Sequence, residues 1–168
     1  MIKIDSNSLI YISKLDLWEI MIKLYEKLII TKNVLEEVVE QGKIRGKPDA
    51  FIIERKITEK IIKIHSSEKQ LPILNLGNGE TETIVEAIEE KSPALLDDKK
   101  ARLVGFKLGL EVLNLPVIFL KAYLREIWDD QAFETLLDKW ILMLNPPLDL
   151  VILIKNIKEL IKHDKSHH

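Results

Sequence analysis

The sequence predicts an α/β fold, a short parallel sheet with helices on both faces, and three observations predict it. Brief apolar runs of strand character, at residues 2–4, 28–30, 61–64, 94–96 and 111–113, alternate with stretches of helical periodicity. Parallel strands need such crossover helices. Acidic residues recur where these runs end or the helices begin, at Asp5, Glu80, Asp97 and Asp98. Finally, 46% of the 168 residues are hydrophobic, enough for a full core.

The elements follow in order. Ile2-Lys3-Ile4 reads as a short buried strand, and Ser6 and Asn7 as caps of a helix through Leu9, Ile10, Ile12 and Leu15. Within residues 17–28, Trp18, Met21, Ile22 and Tyr25 recur at helical spacing, and Leu28-Ile29-Ile30 is the next strand. Thr31 or Asn33 caps a helix over residues 34–41, which Gly42 ends. A basic loop, residues 42–48, precedes a helix over 49–59 and a strand at 61–64. Residues 66–79 read as a loop, and a helix then runs to about Glu90. Residues 94–96 form a buried strand, residues 99–108 a helix with Gly109 at its C-cap, and residues 111–113 the last strand. From Val117 onward the pattern stays helical, over 117–127, 131–140 and 148–162, broken by Asn145-Pro146-Pro147.

Composition excludes several classes. The net charge of −2 is not that of a generally basic nucleic-acid binder, so such binding would need a local basic patch or a bridging metal. With no cysteine, disulfides and thiolate zinc sites are out. His65 has no histidine neighbour and reads as structural. No uncharged apolar run reaches the ~18 residues of a membrane span, and charge enters at Lys3 and Asp5, unlike a signal peptide. The expectation is a soluble cytoplasmic protein with no membrane partner. Trp18, Trp128 and Trp140 lie among apolar residues at helical spacing, which favours packing over base stacking.

The scattered acids carry the chemistry. In an open α/β sheet, strand C-termini and the helix N-termini after them gather along one edge, where ligands bind. Carboxylates brought together there would supply the hard oxygen ligands of Mg²⁺ or Mn²⁺. Singly, Asp5, Asp97 and Asp98 also fit as helix N-caps, and Glu80 gains from a helix dipole without any metal. On a helical wheel Glu37 lies beside Val34 and Val38, while Glu36 points away. Glu80 shares its face with Ile84 and Ala87, whereas Glu82 falls with Glu86 and Glu89 on what reads as a solvated face. Asn7, Ser6 and Ser8 could hydrogen-bond a phosphate or a water, besides capping. The basic residues Lys43, Arg45, Lys47, Lys99, Lys100 and Arg102 could contact a nucleic-acid backbone, or form ordinary solvated surface.

Four stretches in order resemble the PIN-domain family: Ile4-Asp5-Ser6-Asn7-Ser8-Leu9-Ile10, Val34-Leu35-Glu36-Glu37-Val38, Leu76-Gly77-Asn78-Gly79-Glu80-Thr81-Glu82, and Leu95-Leu96-Asp97-Asp98-Lys99-Lys100-Ala101-Arg102. The chain is most similar to compact prokaryotic VapC-like members with a helical C-terminal extension. That resemblance implies an α/β/α sandwich over residues 1–122, with residues 123–168 as a helical extension packed on the same domain or used for a homodimer. It implies a Mg²⁺- or Mn²⁺-dependent endoribonuclease that leaves a 5′-phosphate, with RNA as substrate and a small antitoxin protein as partner. Carried over by position, the catalytic acids fall on Asp5, Glu37, Glu80 and Asp98. The metal ligands come from Asp5, Asp98, Glu80, Asp97 and Glu82, and substrate contacts from Asn7, Ser6, Lys99 and Arg45. The chain departs from the family after its last strand, where Asn114-Leu115-Pro116 replaces the usual Gly-Thr. The competing reading is a PIN-fold module of weak turnover that binds RNA or protein. A phosphoaspartate hydrolase ranks lower, because Ser6-Asn7 after Asp5 supplies no second aspartate two residues on.

Overall fold

A computed structural model of the chain describes residues 1–66 and 76–165. Most of the loop expected over 66–79 therefore lies outside the described residues. The chain divides into two compact units, Met1–Leu115 and Pro116–His168.

The first unit holds the sheet. Strands β1 (Ile2–Ile4), β2 (Leu28–Ile30), β3 (Ile62–Ile64), β4 (Ala94–Leu95) and β5 (Val112–Leu113) stand in the order β3-β2-β1-β4-β5, all parallel. Successive crossovers place β2 and β3 on one side of β1, and β4 and β5 on the other. The direction of winding thus reverses between β1 and β4, the switch point at which open sheets of this kind form their ligand crevice. Ile2, Ile4, Leu28, Ile30, Ala94 and Leu95 are fully buried, as central strands of a covered parallel sheet require.

Helices α1 (Ser6–Leu15) and α2 (Trp18–Tyr25) join β1 to β2. Asp5, not Ser6 or Asn7, is the N-cap of α1: its side chain accepts from the Ser8 N–H at 2.8 Å, and Ser6 and Asn7 lie inside the helix. Beyond β2, helix α3 (Lys32–Leu35), a π-helical turn (Glu36–Glu40) and α4 (Gln41–Ile44) run on without a break. Thr31 caps this run, as one of its two expected caps, accepting from the Val34 N–H. Gly42 does not end it. A Cβ there would come within 2.9 Å of the Ala50 Cβ, so Gly42 serves close packing against α5 (Pro48–Thr58), and the turn falls to Gly46 at φ +65°.

Helices α6 (Asn78–Glu89) and α7 (Lys99–Lys107) complete the first unit. Ile84, Ala87, Ala94, Leu96 and Ala101 form a core cluster where these helices meet β4. Gly109, at φ +79°, follows α7 as the expected left-handed terminator.

The expected solvated face of α6 is not one. Glu86 is completely buried, and its Oε2 lies 3.1 Å from the Lys3 Nζ, itself 1% exposed, and 2.7 Å from the His65 Nδ1. The helix contacts α3 and α7 as well as β1 and β4, so it is covered over more than the single apolar stripe a wheel assumes. Glu89 does face solvent.

In the second unit, α8 (Leu115–Leu124), α9 (Asp130–Leu144) and α10 (Leu148–Lys165) occupy the stretches expected to be helical. Leu115 and Pro116 open α8, a position proline tolerates because the first N–H groups of a helix lack partners anyway. Phe119 packs edge-on to Trp140 with centroids 5.7 Å apart and against Trp128 at 6.2 Å, so both tryptophans pack as expected. Lys158 reaches across the rings of Tyr123 and Phe133 to pair with Asp130 at 2.7 Å. No described helix is long and apolar enough to cross a membrane.

Candidate active site

The site grows from the ends of β1 and β4. The Asp5 N–H donates to the Leu95 carbonyl at 3.1 Å, extending the strand pairing by one residue. The Asp5 side chain is fully buried, and its two oxygens accept one main-chain N–H each, Oδ1 from Ser8 at 2.8 Å and Oδ2 from Asp97 at 3.0 Å. Burial pushes its carboxyl up to about 6, against the lowering by the Ser8 side chain and by these two N–H groups, and the neighbouring Asp97 charge adds to the rise. No cation is among the causes acting on it. Burial also raises the Asp97 carboxyl from its ordinary value, with the Arg102 guanidinium opposing and Asp98 reinforcing. The Tyr11 hydroxyl is raised by burial and by the charges of both Asp97 and Asp5, so it faces the same space.

A second junction adjoins the first through Ser6. Its Oγ donates to the Glu37 Oε2 at 2.6 Å, bringing the π-helical turn to the start of α1. Gly79 closes the junction. A Cβ there would lie 3.2 Å from both the Glu37 Oε2 and the Ser6 Oγ, and 3.3 Å from the Val34 Cγ2. A side chain at position 79 would crowd the carboxylate, so glycine lets the first turn of α6 approach it.

Asp5 and Asp97 thus meet at the point where the winding of the sheet reverses, joined by the Asp97 N–H, and Ser6, next in the chain, ties Glu37 to the start of α1. A family model described as PIN domain, DUF3368, matches residues 1–142. The chain belongs to the PIN-domain family. Members of this family are in general nucleases and usually use divalent metals. The match reaches past residue 122 and takes in α8 and most of α9, leaving α10 outside it. Among solved structures, the chain is similar to a PilT N-terminus domain protein from the hyperthermophilic archaeon Sulfolobus solfataricus P2. The TM-score is 0.51 at 19% identity, over 73% of this chain and 93% of that one, a likeness of fold. Comparison with curated proteins gives no significant match.

This PIN domain does not gather the expected acids into a single cluster. Among the described residues, no three of Asp, Glu and His lie close enough to hold a metal ion together. Asp98 is the N-cap of α7, its Oδ1 accepting from the Lys100 and Ala101 N–H groups at 2.7 and 2.8 Å. Glu80 turns back on its own helix, accepting the Gly77 N–H at 3.0 Å. The Glu82 carboxylate reaches α3, accepting from the Asn33 backbone at 3.0 Å and side chain at 2.8 Å. Burial would raise Glu82, but hydrogen bonds from Thr31, Asn33 and Ser66 hold it below the ordinary range. Of the expected substrate contacts, Ser6 is buried on Glu37, while Asn7, Lys99 and Arg45 are exposed. Lys43, also read as a backbone contact, pairs with Glu54 at 2.6 Å.

The cap role of Asp98 makes a direct prediction. Asparagine caps nearly as well as aspartate, so Asp98→Asn should leave the melting temperature within about a degree of the parent. Asp98→Ala should cost ~1 kcal/mol in urea denaturation. A loss of that size in the asparagine variant would mean that the Asp98 charge, and not its cap, is what matters.

Asp5 and Asp97 suit a hard divalent cation. The donors are oxygen throughout, and no hydrogen-bond donor occupies the Asp97 carboxylate. Two apposed carboxylates are also what Mg²⁺ needs, because it keeps several waters and takes one or two protein ligands directly.

Proposed function

We propose that this chain is a divalent-metal-dependent endoribonuclease, with Asp5 and Asp97 holding Mg²⁺ or Mn²⁺ at the crevice between β1 and β4. The observation that carries the reading is the fully buried Asp5 carboxyl, held by two main-chain N–H groups beside Asp97 with no cation among the groups acting on it, so that burial pushes it up to about 6. Structural ion pairs normally bury a carboxylate with its counter-charge. This one lacks it, as a site that recruits a cation would.

When bound, the cation supplies charge neutralisation at the phosphoryl oxygens and lowers the pKa of a water for attack. The protein supplies the rest. Asp5 is fixed by its two N–H donors and keeps a lone pair on each oxygen for binding. Glu37, oriented by Ser6, stands at the rim where it can hydrogen-bond an incoming water, and Lys99 and Arg45 offer exposed charge to the RNA backbone. Hydrolysis would leave a 5′-phosphate. The further reading, by the VapC-like resemblance, is a toxin restrained by a small antitoxin.

Cleavage of single-stranded RNA in Mn²⁺ is the test. Activity should vanish in EDTA and fall below about 1% in Asp5→Asn, the scale of losing a principal electrostatic group. Wild-type rates in that variant would place the chemistry elsewhere. Tight Mn²⁺ binding without cleavage of any RNA in a broad set would make the protein a binding module instead. Expression in a bacterial host tests the toxin role, since growth arrest should require Asp5.

A further inference from the structure

Arg102 lies in the first turns of α7, beside the turn that joins β4 to that helix. Its Nη1 donates to the Asp97 main-chain carbonyl oxygen, and the Leu96 carbonyl oxygen is 3.5 Å from the same nitrogen. The Asp97 N–H, on the other side of that residue, donates to the Asp5 Oδ2 at 3.0 Å. Both main-chain polar groups of Asp97 are therefore pinned, one by Asp5 across the crevice and one by Arg102 from the helix. What remains free is the side chain.

The choice of acceptor matters. An arginine beside a carboxylate usually forms a bidentate pair with it, which would occupy the oxygens a cation needs. Here the guanidinium takes carbonyls instead. The Asp97 carboxylate itself accepts no hydrogen bond from the described residues. Both carbonyls are met by one nitrogen whose N–H bonds are fixed in the rigid guanidinium plane, a direction that a lysine ammonium on a flexible stem would hold less firmly.

We propose that Arg102 is a positioning residue for the cation site: it fixes the turn after β4 through the Asp97 carbonyl and so presents the Asp97 carboxylate to the cation held by Asp5. This rests on the reading of Asp5 and Asp97 as the cation-binding pair.

Calorimetric titration of the full chain with Mn²⁺ alone tests it, alongside melting in EDTA. Arg102→Met should remain folded and bind Mn²⁺ about ten- to a hundredfold more weakly, the usual effect of removing a group that orients a ligand. Arg102→Lys, which restores the charge but not the planar guanidinium, should recover only part of that loss. Equal affinity in wild type and Arg102→Met would overturn the proposal, and full affinity in Arg102→Lys would overturn its geometric basis. Should Arg102→Met fail to fold, Arg102→Lys decides: weakened binding in a folded protein supports the role, and wild-type binding refutes it. If the wild type itself binds no Mn²⁺, the failure lies in the Asp5–Asp97 site, and this proposal falls with it.

Discussion

Glu86→Ala is expected to destabilise the protein by roughly 3–5 kcal/mol, because it leaves the Lys3 ammonium buried without its partner. Lys3 is 1% exposed in the central strand, and Glu86 is the carboxylate 3.1 Å from its ammonium. His65 adds a second donor or charge to the same Oε2, and its half-exposed ring loses that contact too. The Glu86 Oε1 has no partner, so the network is not fully satisfied. Buried pairs of this kind are poor sources of net stability, and replacing both members together should be far milder. Lys3→Met combined with Glu86→Leu is expected to lie within about 1 kcal/mol of the parent, or above it. Urea denaturation of the two single variants and the double variant measures the coupling. Additive losses would mean that Lys3 and Glu86 do not act as a pair in solution.

Asp5→Asn should change how stability depends on pH in the metal-free protein. The Asp5 carboxyl has its ordinary pKa of 3.8 when unfolded, and burial pushes it up to about 6 when folded. Below pH ~4 both states are protonated and the native state carries no penalty from this group. As pH rises through 6 the buried carboxyl must ionise in the fold, and stability is lost. A rise of about two units corresponds to ~3 kcal/mol. Asparagine has no such titration, but its amide can accept only one of the N–H donors from Ser8 and Asp97, a pH-independent cost of ~1–3 kcal/mol. The variant is therefore expected to be the less stable protein at pH 4 and to equal or exceed the wild type at pH 8. Excess Mn²⁺ should then restore the wild type, by about 2.7 kcal/mol at a hundredfold excess over its Kd, and leave the variant unmoved. Urea melts of both proteins at the two pH values, in EDTA and in Mn²⁺, provide the measurement. A stability difference that stays constant with pH would show that Asp5 is not the buried titrating group.

Much of the fold is legible in the chain because its determinants are local. Three-residue apolar runs such as Ile2-Lys3-Ile4 and Leu28-Ile29-Ile30 are bounded by capping and turn residues, and the strands stand where those runs are. The alternation with helices is enough to imply a parallel sheet, and hence that Asp5 and the acids after β4 share one edge. The four-motif resemblance and the family match agree on the same architecture. The π-helical turn at Glu36–Glu40 had no such signal, because a helix of either pitch presents the same residues in sequence.

The fate of each acid depended on partners far away in the chain. Asp97 and Asp98 are adjacent and chemically identical, yet the Asp98 carboxylate is taken by the N–H groups of its own helix, while Asp97 gives its main-chain N–H to Asp5, 92 positions earlier. Glu80 folds back on Gly77, Glu82 crosses to Asn33, and Glu86 is drawn inward by Lys3, although all three lie on one helix within seven residues. A periodic pattern states which residues share a face, but it does not say how many neighbours cover that face or what donors they bring. By itself the sequence determined the strands, the helices and the edge at which the acids collect. Only the packing of α6 and α7 against β1 and β4 decided which carboxylates are taken by N–H groups, which by a buried lysine, and which carry no hydrogen bond from the described residues.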